Sequence, residues 1–109
     1  MKYQYKDIDE MIMVINSPNK EICLLILQEN MDLFKKVQGS SSNHQAWEGG
    51  YYDHIREVMN IAIALYESLN SLRALTFSLS DALLVLFLHD IEKPWKYKIE
   101  NGKLRLFHV

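Results

Sequence analysis

The sequence contains few of the residues that form turns and cross-links. It has 4 Gly, 2 Pro and 1 Cys in 109 residues. An all-β sandwich needs a turn about every 8–12 residues, so this composition disfavours one and favours a mostly helical chain. Because Cys23 has no second cysteine to pair with, an internal disulfide is excluded. Its place in an apolar run predicts a buried side chain in a reducing compartment.

The sequence also lacks an excess of one charge and a long apolar run. Its 12 Lys and Arg face 14 Asp and Glu, a net charge of −2, so generic nucleic-acid binding is not expected. The longest strictly apolar stretch, 82–88, is far shorter than the roughly 18 residues that cross a bilayer. The polar start of the chain lacks a signal peptide's apolar segment. We expect one cytoplasmic domain over 1–109 without membrane contact.

The spacing of apolar residues predicts four helices, at about 6–15, 18–39, 51–72 and 78–93. The fourth is apolar nearly all round, which predicts a central position in the domain. The core faces of the first and third helices are expected to contain, respectively, Ile8, Met11, Ile12 and Ile15, and Ile55, Val58, Met59, Ala62, Leu65, Tyr66 and Leu69.

Capping residues and prolines indicate where these helices begin and end. Ser17 is the expected N-cap of the second helix, with Pro18 at its first helical position, where a missing N–H costs nothing. Ser78, with Asp81 in capping-box position, is expected to begin the fourth helix. Pro94 is expected to end it.

After Pro94, apolar and polar residues alternate in the stretch KYKIENGKLRLF. Asn101-Gly102 at its centre is the preferred pair for a type I′ turn, so a β-hairpin is predicted. The expected fold class is an all-α helical bundle with a short C-terminal β-hairpin. The chain stops at Val109 directly after the second predicted strand, which is typical of a fragment. Uncovered core surface on such a fragment would favour a homo-oligomer.

Three polar features interrupt the apolar pattern. They are the stretch HQAWEGGYYDH at 44–54, the pair His89-Asp90, and the residues Lys93-Pro94-Trp95. Two histidines from different helices and a carboxylate beside one of them are ligands that divalent Mn, Fe, Co, Ni and Zn prefer. The alternatives are a satisfied core histidine for His54 and a capped helix end for His89-Asp90.

Residues 44–97 resemble the HD-domain superfamily of metal-dependent phosphohydrolases, an all-helical fold named after its His-Asp pair. In HQAWEGGYYDH, paired glycines precede the helix that bears the first ligand, and LFLHDIEK supplies the pair and the following lysine. The resemblance implies a divalent metal ion, Mn, Fe, Co, Ni, Zn or Mg, held by His54, His89 and Asp90. It assigns Asp90 and Lys93 to catalysis, and Lys93 also to the phosphate. His44 is a candidate for binding phosphate or a second metal, with an ordinary loop histidine as the alternative.

The sequence departs from the family pattern at two places. Glu92 stands where many members have Gly. No Asp follows Asp90, so the family's final metal ligand has no counterpart, and Glu100 and His108 are the only later residues that could coordinate. The two explanations are an N-terminal fragment of a longer protein and a degenerate site.

The function that the resemblance implies is metal-dependent hydrolysis of a phosphomonoester or phosphodiester in a phosphorylated small molecule, with a nucleotide as the expected substrate. The metal would act as a Lewis acid and lower the pKa of its bound water from 15.7 toward about 7. One alternative is a degenerate HD domain that binds a nucleotide or a protein partner without turnover. Another is a helical interaction module in which His54 and His89 are merely buried.

Overall fold

The computed structural model describes residues 3–37, 48–100 and 103–106 of the chain. The mostly helical prediction is confirmed. In chain order the elements are α1 (Ile8–Ile12), α2 (Asn19–Phe34), α3 (Gly50–Leu72), α4 (Leu79–Leu88), α5 (Lys93–Lys96), β1 (Tyr97–Glu100) and β2 (Lys103–Leu106). None of the helices in these ranges has both the length and the apolar content that a membrane crossing requires.

The hydrophobic core lies where α1 meets α2, α3 and α4. Cys23 is buried there, as predicted. All four apolar residues predicted for the first helix are buried, and the core also contains Leu27, Phe34, Val37, Tyr51, Tyr52, Ile55, Met59, Ile63, Leu83 and Phe87.

The two predicted N-caps, Ser78 and Ser17, have different outcomes. Ser78 is the N-cap of α4, and its hydroxyl accepts a hydrogen bond from the Asp81 N–H at 3.0 Å, as predicted. The prediction of Ser17 as the N-cap of α2 is wrong. The N-cap is Pro18, and the Ser17 hydroxyl instead donates to Glu21 Oε2 at 2.8 Å.

The predicted end of the fourth helix is also wrong. Helix α4 ends at Leu88 because the backbone of His89 is extended (ψ 139°) and that of Asp90 is left-handed (φ 57°). Pro94 does not end a helix but is the second residue of α5, in a first turn that needs no proline N–H. Nor is α4 buried all round, because Val85 is 63% exposed.

Helix α3 agrees with its predicted range, but its predicted core face is only half correct. Ile55 and Met59 are buried, whereas Leu65 and Leu69 are 55% and 49% exposed. The sequence pattern missed the buried side chain of Asn60.

Asn60 fastens the N-terminal segment to α3. Its Oδ1 accepts from the Tyr3 hydroxyl and from the Lys6 N–H, each at 2.7 Å. Its Nδ2 donates to the Lys6 carbonyl at 2.9 Å and to the Arg56 carbonyl at 2.7 Å. This buried amide therefore has partners for both its oxygen and its nitrogen, as buried polar groups require.

Strands β1 and β2 pair in antiparallel register, with Tyr97 opposite Leu106 and Glu100 opposite Lys103. The predicted Asn101-Gly102 turn, and the loop residue His44, lie outside the described residues.

Candidate functional site

The start of α3 positions His54 against the end of α2. Gly49, the N-cap of α3, has φ 80°, and a Cβ at this position would lie 2.7 Å from the Lys35 carbonyl oxygen. Only glycine fits at a position that is left-handed and lies so close to the Lys35 carbonyl oxygen. The Tyr51 N–H then donates to the Val37 carbonyl at 3.0 Å. The paired glycines therefore let α3 begin directly against α2, with His54 one turn into the helix.

The His89-Asp90 pair forms the bend between α4 and α5. The His89 N–H still donates to the Val85 carbonyl at 2.8 Å. Asp90 then adopts φ 57°, a conformation that Asp tolerates better than most residues. Its carbonyl accepts from the Lys93 N–H at 2.9 Å. This tight turn keeps the side chains of His89, Asp90 and Lys93 near one another.

The structure brings together four of the residues singled out in the sequence. The imidazole rings of His54 and His89 have centroids 5.9 Å apart. Asp90 Oδ2 lies 3.4 Å from His89 Nε2 and 3.3 Å from Lys93 Nζ. Side chains from the start of α3 and from the bend after α4 thus share one small region of the surface.

The tautomer of His89 follows from its backbone contact. Nδ1 lies 2.7 Å from the Leu86 carbonyl oxygen. A carbonyl can only accept, so Nδ1 carries the hydrogen, and in the neutral ring Nε2 keeps its lone pair. A histidine that binds a metal through one nitrogen commonly donates from the other to such an acceptor.

The surroundings of His54 favour its neutral form. Burial is the main reason that its pKa lies below the ordinary value of 6.5, and electrostatic interactions with His89 and Lys93 lower it further. The carboxylates of Asp90 and Glu57 act in the opposite direction. Neutral imidazole is the form that coordinates metal ions.

The two imidazoles and the Asp90 carboxylate have the chemistry that a divalent ion accepts, because borderline nitrogen and hard oxygen donors stand side by side. Within the described residues, no group of three or more His, Cys, Asp or Glu side chains is arranged to hold a metal ion. The three side chains of His54, His89 and Asp90 therefore have suitable donor atoms but are not arranged to enclose an ion.

Tyr51 was not singled out in the sequence, although it lies one turn before His54 on the same face of α3. It is 2% exposed, and its hydroxyl has no hydrogen-bond partner among the described residues. Burial raises the pKa of its hydroxyl, and the charges of Asp90 and Glu92 raise it further. Its spacing from His54 is the only sequence signal that would have identified it.

Comparisons of this chain with known protein families, with curated proteins and with solved structures gave no match. The interpretation of the site therefore depends on the residues and distances given above.

Proposed function

We propose that the chain forms a divalent-metal site of the HD-domain type and hydrolyses a phosphate ester in a phosphorylated small molecule, with a nucleotide as the substrate class. The observation that carries the proposal is the approach of His54 to His89, at 5.9 Å between ring centroids, with Asp90 Oδ2 3.4 Å from His89 Nε2. The alternatives, a buried core histidine for His54 and a capped helix end for His89-Asp90, do not explain why the two half-buried imidazoles lie side by side.

His54, His89 and Asp90 are the residues that would hold the ion. When bound, the ion supplies Lewis-acid chemistry: it polarises a phosphoryl oxygen and lowers the pKa of water. His89 offers Nε2, because Nδ1 is held by the Leu86 carbonyl. Asp90 would contribute one carboxylate oxygen as a ligand, and its other oxygen would accept a proton from an attacking water.

Lys93 brings positive charge to the same place. Its Nζ lies 3.3 Å from Asp90 Oδ2, so it balances the carboxylate in the free protein. A phosphoryl group arriving at the site would be drawn to this ammonium, which would stabilise the charge that develops during transfer. His44, the other residue assigned to the substrate, stays a prediction, as does a cytoplasmic location.

Calorimetric titration with Mn²⁺ tests the metal site. We expect the wild-type chain to bind the ion, and His54→Ala and Asp90→Asn to weaken binding by more than about 10-fold. Asp32→Asn is the matched control, because it makes the same chemical change at an exposed residue of α2. Equal affinity in wild type and His54→Ala would contradict the proposed site.

Release of phosphate from a panel of nucleotides in the presence of Mn²⁺ tests the reaction. We expect turnover in wild type and Asp32→Asn, and its loss in Asp90→Asn. Nucleotide binding without phosphate release would instead support the alternative of a degenerate HD domain that binds without turnover.

Self-association is a separate prediction. The apolar residues Leu65, Leu69 and Leu72 on α3 are exposed, and an exposed apolar stripe favours contact between copies of a chain. Sedimentation at rising protein concentration tests it, and a monomer at every concentration would contradict it.

A further inference from the structure

Exposed residues at intervals of four form a row along the outer side of α3 that ends at its C-cap. This row, the α3 ridge, consists of an acid, three aliphatic residues and a base: Glu57, Ile61, Leu65, Leu69 and Arg73. Helix residues four apart are neighbours on one side of the helix, so the ridge is continuous and about 24 Å long. Its middle is apolar, and its two ends carry opposite charges at equal distances in sequence from Leu65.

A groove of about 180 Å³ runs beside the apolar middle of the α3 ridge. Leu65 and Leu69 form one side of it, and Leu75 and Phe77 contribute to its lining. A cavity of about 150 Å³ holds a benzene-sized apolar group, so this groove has room for an aliphatic side chain of another helix. Exposed apolar surface of this kind marks a place where a protein contacts a partner.

The charges at the ends of the α3 ridge indicate which partner fits. Within the described residues, neither Glu57 nor Arg73 forms an ion pair, and both are exposed. When two helices pack through rows of residues four apart, the two rows lie side by side. In an antiparallel pair of α3 helices centred on Leu65, Glu57 of each copy therefore lies beside Arg73 of the other. In a parallel pair, like charges would meet at both ends.

We propose that the α3 ridge is a dimer interface, and that its partner is a second copy of this chain packed antiparallel about Leu65. Two-fold symmetry makes the contact self-complementary, so the ion pair between Glu57 and Arg73 forms twice. Ile61 of each copy enters the groove of the other beside Leu69. This inference rests on the self-association stated with the proposed function, and it requires no metal ion.

Sedimentation equilibrium of the full chain without added metal tests the interface. We expect the wild type to form dimers, and Leu65→Glu to raise the dimer dissociation constant more than about 100-fold, because two carboxylates then meet at the centre. Leu25→Glu is the matched control, since Leu25 on α2 and Leu65 are each 55% exposed. We expect it to leave the dissociation constant unchanged. Circular dichroism establishes that both variants are folded.

Charge reversal tests the antiparallel direction. Glu57→Arg and Arg73→Glu should each weaken the dimer about 10-fold at low salt, because each replaces two attractive pairs with two repulsive ones. The double variant Glu57→Arg with Arg73→Glu should restore the wild-type affinity, and added salt should reduce these differences. In a parallel dimer each end faces its own counterpart, so none of the three variants would change the affinity.

The two sets of variants separate the ways in which the inference can fail. A dimer that tolerates Leu65→Glu, or that Leu25→Glu weakens equally, would overturn the α3 interface and leave self-association standing through another surface. Equal affinities in the wild type and the three charge variants would overturn the antiparallel pairing. A wild-type chain that stays monomeric at every concentration would overturn both the inference and the self-association on which it rests.

Discussion

The two halves of α3 differ in burial although their sequence patterns are alike. Residues 50–63 contain every buried residue of the helix, and residues 64–72 contain none. Leu72 near the end is 83% exposed. In the second half, the Tyr66 ring meets Phe77 at 5.8 Å and its hydroxyl donates to the Phe77 carbonyl at 2.8 Å.

The difference teaches that helical spacing of apolar residues predicts a helix but not what covers it. The first half is covered by α1, by the end of α2 and by the N-terminal segment, and α4 also packs against α3. Beside the second half, a groove of about 180 Å³ is lined by Leu65, Tyr66, Leu69, Leu75 and Phe77, together with Ala62 and Ala82. Burial therefore depends on neighbouring elements that the pattern of α3 does not encode.

The largest expected effect comes from truncating one apolar side chain in each half. Met59→Ala should lower the free energy of unfolding by about 2–5 kcal/mol, because it leaves a cavity in the core. Leu69→Ala should cost less than about 1 kcal/mol, since half of that side chain is already in solvent. Urea unfolding measures both. Similar losses at the two positions would show that the halves are covered alike.

A smaller effect is expected from the buried amide of the first half. Asn60→Ala should cost about 2–3 kcal/mol, because the Tyr3 hydroxyl and the Lys6 backbone lose their partner. Asn70→Ala is the control in the second half, where an exposed Oδ1 accepts from the Leu75 N–H at 2.9 Å. We expect it to cost less than about 1 kcal/mol in the same urea titration. An equal cost would contradict the role of Asn60 as the attachment of the N-terminal segment.

The smallest effect is expected from Tyr52→Phe, about 1 kcal/mol at neutral pH, because Asp7 is partly exposed to solvent. The hydrogen bond from Tyr52 is the main reason that the pKa of Asp7 lies below its ordinary 3.8. A lowered pKa in the folded state contributes stability above pH 3.8 that is lost as the pH falls through the lowered pKa.

Acid titration of stability checks this prediction. Tyr52→Phe should flatten the loss of stability below about pH 4. Tyr51→Phe should retain the acid transition of the wild type, because among the described residues the hydrogen bond to Asp7 comes from Tyr52 and the Tyr51 hydroxyl makes none. A wild-type acid transition in Tyr52→Phe would show that this hydrogen bond does not set the pKa of Asp7.

The fold could be predicted where local chemistry decides it. The apolar spacing of α1, the range of α3 and the Ser78 cap depend on neighbouring residues, and these predictions are confirmed. The end of α4 depends on the backbone conformation of His89 and Asp90. The expectation that Pro94 ends the helix therefore placed the end of α4 too late. Exposure of Leu65 depends on tertiary neighbours, which spacing does not give.

The candidate site, like the fold, could be predicted only in part. His54, His89, Asp90 and Lys93 were identified from motifs, and the structure adds the distances among them. Tyr51 has an ordinary place in an apolar helix face. Only the buried position of its hydroxyl, which no spacing rule gives, distinguishes it from a core aromatic.

Asp90 supplies the carboxylate of the candidate site, and its left-handed backbone also sets the path of the chain from α4 to α5. Asn and Gly adopt this conformation readily, whereas β-branched residues do not. A library of substitutions at this position should therefore fall into two classes. Asn and Gly would remove the negative charge and leave the route from α4 to α5 intact, while Val and Ile would disturb the route itself.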